Sequence, residues 1–202
     1  MIGWAAISFV AVNLPILLIA PKGWALPWVF QSTRFPNFET WGYMLYRHGV
    51  TVWPTGFWSE TYPAFTSYAS AAMFAAGATL LLLREWRREG PSRPYATSMQ
   101  LMMLFLLTAK VYSPQFALWV LPFFVLVEIS WIGYGWFAVT DAAVWFAISK
   151  FFIAYQIGGG SGDPELGVLE FWVYARYAVL AGLILVAGRA RENVAGYTAV
   201  RA

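Results

Sequence analysis

The chain has 202 residues, 60% of them hydrophobic, 19% aromatic and 11% charged, with mean hydropathy +0.58 and net charge +3. A soluble domain carries roughly 25% charged residues, so the composition marks an integral membrane protein with no nucleic-acid partner. It has no cysteines and one histidine, His48, which excludes disulfides, thiol chemistry and a metal site built from those residues.

A span needs about 20 mostly apolar residues to cross a hydrocarbon core of about 30 Å. Taken in order, six segments qualify: Ile2–Ala20, Pro63–Leu83, Tyr95–Ala109, Phe116–Ser130, Trp136–Ile157 and Leu169–Gly188. The third and fourth are short, and the fourth carries Pro122. The expected fold is therefore an all-α integral membrane protein, residues 1–202 forming one transmembrane domain.

Arg84, Arg87, Arg88 and Arg93 crowd one short loop, and Arg189, Arg191 and Arg201 crowd the C-terminal tail. The positive-inside rule assigns both to the cytoplasm of a cell membrane, and six spans put the N-terminus there too. Three segments then fall outside: the loop Pro21–Tyr62, the Lys110–Gln115 turn and the glycine-rich loop Gly158–Gly167. No duplicated halves of the kind found in transporters are visible.

The loop Pro21–Tyr62 holds Trp24, Trp28, Trp41, Trp53 and Trp58 together with Arg34, Glu39, Arg47, His48 and Glu60. Such density of aromatic rings predicts a segment lying at headgroup depth, with the tryptophans as interfacial anchors and, as a second reading, sugar-stacking platforms. Glu39–His48 is a candidate interfacial helix, with Trp41 and Leu45 on one face. Arg34, Arg47 and His48 are candidate phosphate or hydroxyl contacts.

Ionisable groups inside a membrane face the bundle interior or a wet cavity. Lys110, Lys150 and Arg176 fall in the outer half of the expected spans, and Glu128 and Asp141 in the inner half. Nine residues separate Asp141 from Lys150, which places them on opposite faces of a helix. The three cations without an acidic partner at their depth suggest a positive cavity for a lipid phosphate. Within it the turn Lys110-Val-Tyr-Ser-Pro-Gln115 stands out, because proline breaks the helix and leaves polar groups beside a lysine.

Lys110-Val-Tyr-Ser-Pro-Gln-Phe-Ala-Leu-Trp-Val-Leu-Pro122 resembles the Lys-Val-x-Ser-Pro-Gln-aromatic-x-x-Trp-Leu-x-Pro segment of GT-C membrane glycosyltransferases. It is most similar to the polyprenyl-phosphate-mannose-dependent mannosyltransferases of glycosyltransferase family 87. Val12-Asn-Leu-Pro15, Arg34 with Trp41, Trp136 through Asp141, and Val173-Tyr-Ala-Arg176 resemble further parts of the C-terminal half of that family. The resemblance implies transfer of a hexose, most readily mannose, from a polyprenyl-phosphate donor to a glycolipid or glycan acceptor on the outer face. It implies no cofactor, since the lipid-linked sugar is a substrate. Lys110 would contact the phosphate, Gln115 would donate a hydrogen bond beside it, and Tyr112, Ser113, Arg34, Arg47, His48 and Arg176 would complete the substrate site. Pro114 would fix the turn, with Trp119 and Pro122 structural.

GT-C enzymes have about twice as many spans, and their catalytic aspartate lies in the first outer loop. Neither Asp141 nor Asp163 matches that position, and no motif ties Glu39 or Glu60 to the role of base. The resemblance thus implies the donor-binding half of an enzyme, completed by an N-terminal half or partner subunit. A non-catalytic membrane subunit or lipid-binding scaffold is the competing expectation.

Overall fold

A computed structural model describes residues 2–49, 57, 61–113, 115–157 and 163–192. Trp53, Trp58, Glu60, Pro114, most of the glycine-rich loop and Arg201 lie outside the described residues. The described residues form helices α1 (Ile2–Ile19), α2 (Pro21–Thr33), α3 (Trp41–Gly49), α4 (Tyr62–Trp86), α5 (Pro94–Thr108), α6 (Gln115–Leu118), α7 (Leu121–Leu126), α8 (Trp131–Ile157) and α9 (Asp163–Ala187), with no strand among them. The molecule is an all-α membrane protein.

Among the described residues, three helices are long and apolar enough to cross a bilayer: α4, α8 and the Pro164–Ala187 part of α9. A fourth crossing is available if α1 and α2 count as one broken span, bent by 110°. Six separate spans are therefore not seen, and the reasons are local. Pro21 occupies the first turn of α2, where its missing N–H costs nothing. It lets the helix restart in a new direction, so the beginning of the expected outer loop is helical. Trp24 Nε1 donates to Asn13 Oδ1 across the bend at 3.0 Å.

The third and fourth expected spans are the two arms of a hairpin. The fifteen residues of α5 rise about 22 Å at 1.5 Å each, short of the hydrocarbon thickness of about 30 Å. The returning arm is broken into α6 and α7, and Pro122 sits in the first turn of α7 rather than inside a helix. Both feet rest on one segment: Ala96 N–H donates to Glu192 Oε1 at 2.9 Å and Glu128 N–H to Arg191 O at 2.9 Å. Arg84 and Arg93 both donate to Gly188 O, at 3.3 and 3.0 Å. The basic segments after α4 and α9 thus meet at one end of the bundle.

The core lies between the hairpin and α9, where Met99, Met103, Leu106 and Val120 pack against Leu180 and Leu183. A second cluster joins Met44 of α3 to Val144 and Phe151 of α8 and Leu169 and Val173 of α9. Because the hairpin tip at Lys110–Ser113 stops short, the space above it is free for another part of the chain. The turn Arg34–Thr40 and α3 fill that space. The expected surface loop is therefore partly interior, with Pro36, Glu39 and Thr40 buried.

Candidate functional site

The site is built where the turn Arg34–Thr40 docks on the hairpin tip. Asn37 N–H donates to Lys110 O at 3.1 Å, and Asn37 Nδ2 donates to Tyr112 O at 2.8 Å. Thr40 Oγ1 donates to Asn37 O at 2.7 Å and lies 3.2 Å from Lys110 O. These contacts satisfy the backbone of two irregular segments that bury polar groups together, as buried peptide groups require. The indole N–H of Trp41 donates to Thr108 O at 2.9 Å, and its backbone N–H donates to Tyr177 Oη at 2.6 Å. Trp41 is accordingly a tie between three elements rather than a free interfacial ring.

Lys110 is turned inward and buried. Its Nζ lies 3.1 Å from Ser32 O, 2.9 Å from Arg34 O, 3.1 Å from Pro63 O and 2.5 Å from Ser67 Oγ. An ammonium has three protons, and four protein oxygens already compete for them. Lys110 caps the last carbonyls of α2, where a cation is favourable, and ties them to the first turn of α4. Burial and the nearby Arg34 cation lower its pKa to about 8. To reach a phosphate it would have to surrender structural hydrogen bonds.

Arg176 is buried as well, at 1% exposure. Its Nη2 donates to Glu39 O at 2.6 Å, its Nη1 lies 3.7 Å from Asp141 Oδ1, and its Cζ sits 3.9 Å from the Tyr112 ring centroid. Tyr112 Oη donates to Asp141 Oδ1 at 2.7 Å. The expected separation of outer cations from inner carboxylates is thus corrected for this pair. Asp141 of α8 and Arg176 of α9 lie at one level because the two helices run antiparallel, with each residue near the middle of its helix. Lys150 is exposed on α8.

Arg47 and His48 form a separate cluster on Glu170 of α9. Arg47 Nη1 is 3.0 Å from Glu170 Oε2, an ion pair by distance whose N–H is not aligned for a hydrogen bond. His48 Nε2 contacts Glu170 Oε1. The pair fastens α3 to α9. Gln115 is exposed at the start of α6, away from the cavity lining.

Between the docked turn, the hairpin tip and α8 lies a cavity of about 730 Å³. Its polar lining is Arg34, Asn37, Glu39, Tyr112, Ser113 and Ser149, and its apolar walls include Phe38, Tyr43, Trp145 and Phe152. Of the residues expected in a substrate site, it gathers Arg34, Tyr112 and Ser113. Arg34 donates from Nη2 to the neutral Asn37 Oδ1 at 2.9 Å, and no carboxylate lies within ion-pairing distance of it among the described residues.

No protein-family model, curated protein or solved structure matches the chain.

Glu39 and Asn37 were not expected in this site. The Phe-Pro-Asn-Phe-Glu run reads as a turn, but nothing local indicates that it folds inward onto a segment about seventy residues later. Burial, partly offset by the Arg176 cation, raises the Glu39 pKa from 4.5 to about 7. A second, smaller groove of about 280 Å³ is lined by Asp141 and by apolar residues of α6, α7 and α8. Trp145 borders both spaces.

Proposed function

We propose that this chain binds a polyprenyl-phosphate sugar and supplies the donor site for transfer of a hexose, with mannose the favoured sugar, to a glycolipid or glycan acceptor. The observation that carries the reading is the 730 Å³ cavity, which has a cation, a carboxyl, neutral hydrogen-bonding groups and aromatic walls at the Lys110–Ser113 tip. Its volume suits a sugar-sized ligand. The likeness of Lys110–Pro122 to the GT-C segment supports the same chemistry. The mainly apolar groove that Trp145 also borders is assigned to the isoprenoid tail.

The roles within the site are redistributed from the expectation. Arg34 is assigned the phosphate, because a guanidinium binds phosphate oxygens bidentately and its partner here is neutral. Lys110 and Arg176 are assigned to holding the turn and the hairpin in place, and Arg47 and His48 to fastening α3. By the positive-inside bias, the basic end at Gly188 is assigned to the cytoplasm of a cell membrane, with both termini, and the cavity to the outer half.

Reconstituted in lipid nanodiscs, the chain should bind a polyprenyl-phosphate mannose, read by quenching of tryptophan fluorescence. Arg34→Gln should weaken that binding at least tenfold, since charge-assisted hydrogen bonds contribute about 1.5–3 kcal/mol. Absence of donor binding by the unsubstituted chain would sink the proposal. In sealed vesicles, trypsin should reach the Arg84–Arg93 loop only from the cytoplasmic side.

A lipid-binding scaffold without catalysis is the second reading. It is favoured by Asp141 being tied to Arg176 and Tyr112. It requires that bound donor never give up its sugar.

A further inference from the structure

We propose that Glu39 is the general base of this site, taking the proton of an acceptor hydroxyl bound in the same cavity as the donor. The inference rests on the donor-site reading above and adds the group that the likeness to GT-C enzymes left unassigned.

Glu39 lines the cavity and is 4% exposed. Among the acidic side chains whose burial is described it is the buried one, Glu89 and Glu128 being exposed and Glu165 partly so. Asp141 is engaged by Arg176 and Tyr112, Glu170 by Arg47 and His48, and Glu85 by Arg88 and Arg93. Glu192 accepts from the first turn of α5. No cation lies within ion-pairing distance of the Glu39 carboxyl among the described residues. A buried carboxyl without an ion pair costs stability, and such groups concentrate at functional sites.

The backbone around Glu39 is held firmly. Arg176 donates to its carbonyl, Thr40 is hydrogen-bonded into the turn, and the Trp41 N–H donates to Tyr177. A base needs this fixed placement to act on a bound hydroxyl. The charged groups that bear on the carboxyl are Arg176 and Asp141, and the Asn37 side chain favours its ionised form by hydrogen bonding. Burial outweighs them and brings the carboxyl to about 7, where a base is both ionised and able to accept a proton near neutrality.

In the step, the acceptor hydroxyl oxygen bonds to the anomeric carbon while its proton passes to the Glu39 carboxylate. The bond between the anomeric carbon and the phosphate oxygen breaks, and its electron pair leaves with the polyprenyl phosphate. The phosphodiester monoanion and the carboxylate become a phosphomonoester dianion and a neutral carboxylic acid, so charge balances. Arg34, five residues from Glu39 and lining the same cavity, stabilises the charge that grows on the phosphate.

The test uses the full chain in nanodiscs, polyprenyl-phosphate mannose as donor and an alkyl mannoside as acceptor, with donor binding and mannose transfer both measured between pH 5 and 8.5. Glu39→Gln should bind donor within about threefold of the unsubstituted chain yet transfer 100- to 10,000-fold more slowly, the range for loss of a positioned base. Transfer by the unsubstituted chain should rise through about pH 7, and that acid limb should vanish in Glu39→Gln. Glu39→Ala should recover at least tenfold in transfer when formate is added. Transfer by Glu39→Gln within tenfold of the unsubstituted rate would overturn the assignment, as would an unsubstituted chain that binds donor and transfers nothing at any pH. Absence of donor binding would instead remove the underlying donor site.

Discussion

Lys110 directs its ammonium at Ser32, Arg34, Pro63 and Ser67, so its removal strips a cross-link from the end of α2 and the start of α4. Lys110→Ala leaves part-buried carbonyls without that donor, at a cost of about 1–3 kcal/mol. Thermal unfolding in detergent should show a clearly lowered midpoint. Donor affinity measured well below that midpoint should change less than in Arg34→Gln. The opposite ranking would restore Lys110 as the phosphate contact. In the sequence Lys110 was the preferred phosphate contact, on its polar turn and its likeness to the GT-C segment, and Arg34 a further candidate. What separates them is the number of protein oxygens each one meets.

At the scale of elements, the site depends on how closely α3 follows the turn Arg34–Thr40. A Cβ placed on Gly42 would come within 2.9 Å of both Cβ and Cγ of Pro36. A proline ring cannot swing aside as a flexible side chain can, so the turn itself would have to move. Gly42→Ala should therefore destabilise the protein by about 1–3 kcal/mol and weaken donor binding, although Gly42 does not line the cavity. Unchanged melting and binding would show that the turn has slack. The candidate helix Glu39–His48 corresponds to α3 at Trp41–Gly49, but the residues it buries are Gly42 and Met44, and Leu45 of the expected face is exposed. The hairpin was harder to read. Tyr95–Ala109 and Phe116–Ser130 are apolar enough for spans, and only their length and Pro122 suggested otherwise.

Across the whole molecule, the buried Glu39 carboxyl links folding to pH. Its folded pKa of about 7 lies above the ordinary 4.5, so the folded protein holds the proton more tightly than the unfolded chain. That contribution is complete below about pH 4.5 and is lost as pH rises through about 7, with a magnitude on the order of 3 kcal/mol. Melting of the unsubstituted protein should fall between pH 5 and 7.5 relative to Glu39→Gln, whose dependence over that window should be flatter. Parallel pH profiles for the two would mean that the carboxyl titrates in its ordinary range.

Composition and the lengths of the apolar runs were enough to determine an all-α membrane protein, its long helices and the expected placement of its two arginine clusters. These properties follow from hydropathy and charge summed along the chain, and they survive whatever the chain does locally. The Lys110–Ser113 turn was also legible, because proline and polar residues interrupt an apolar run. Its partner was not. Only the tertiary structure brings Arg34, Asn37 and Glu39 onto that turn and pairs Arg176 with Asp141. It also shows Lys110 already saturated. The cavity arises because the α5 hairpin is too short to fill the bundle, and that vacancy draws in a turn about seventy residues earlier. Contacts at such separation depend on packing, which no local pattern of residues records.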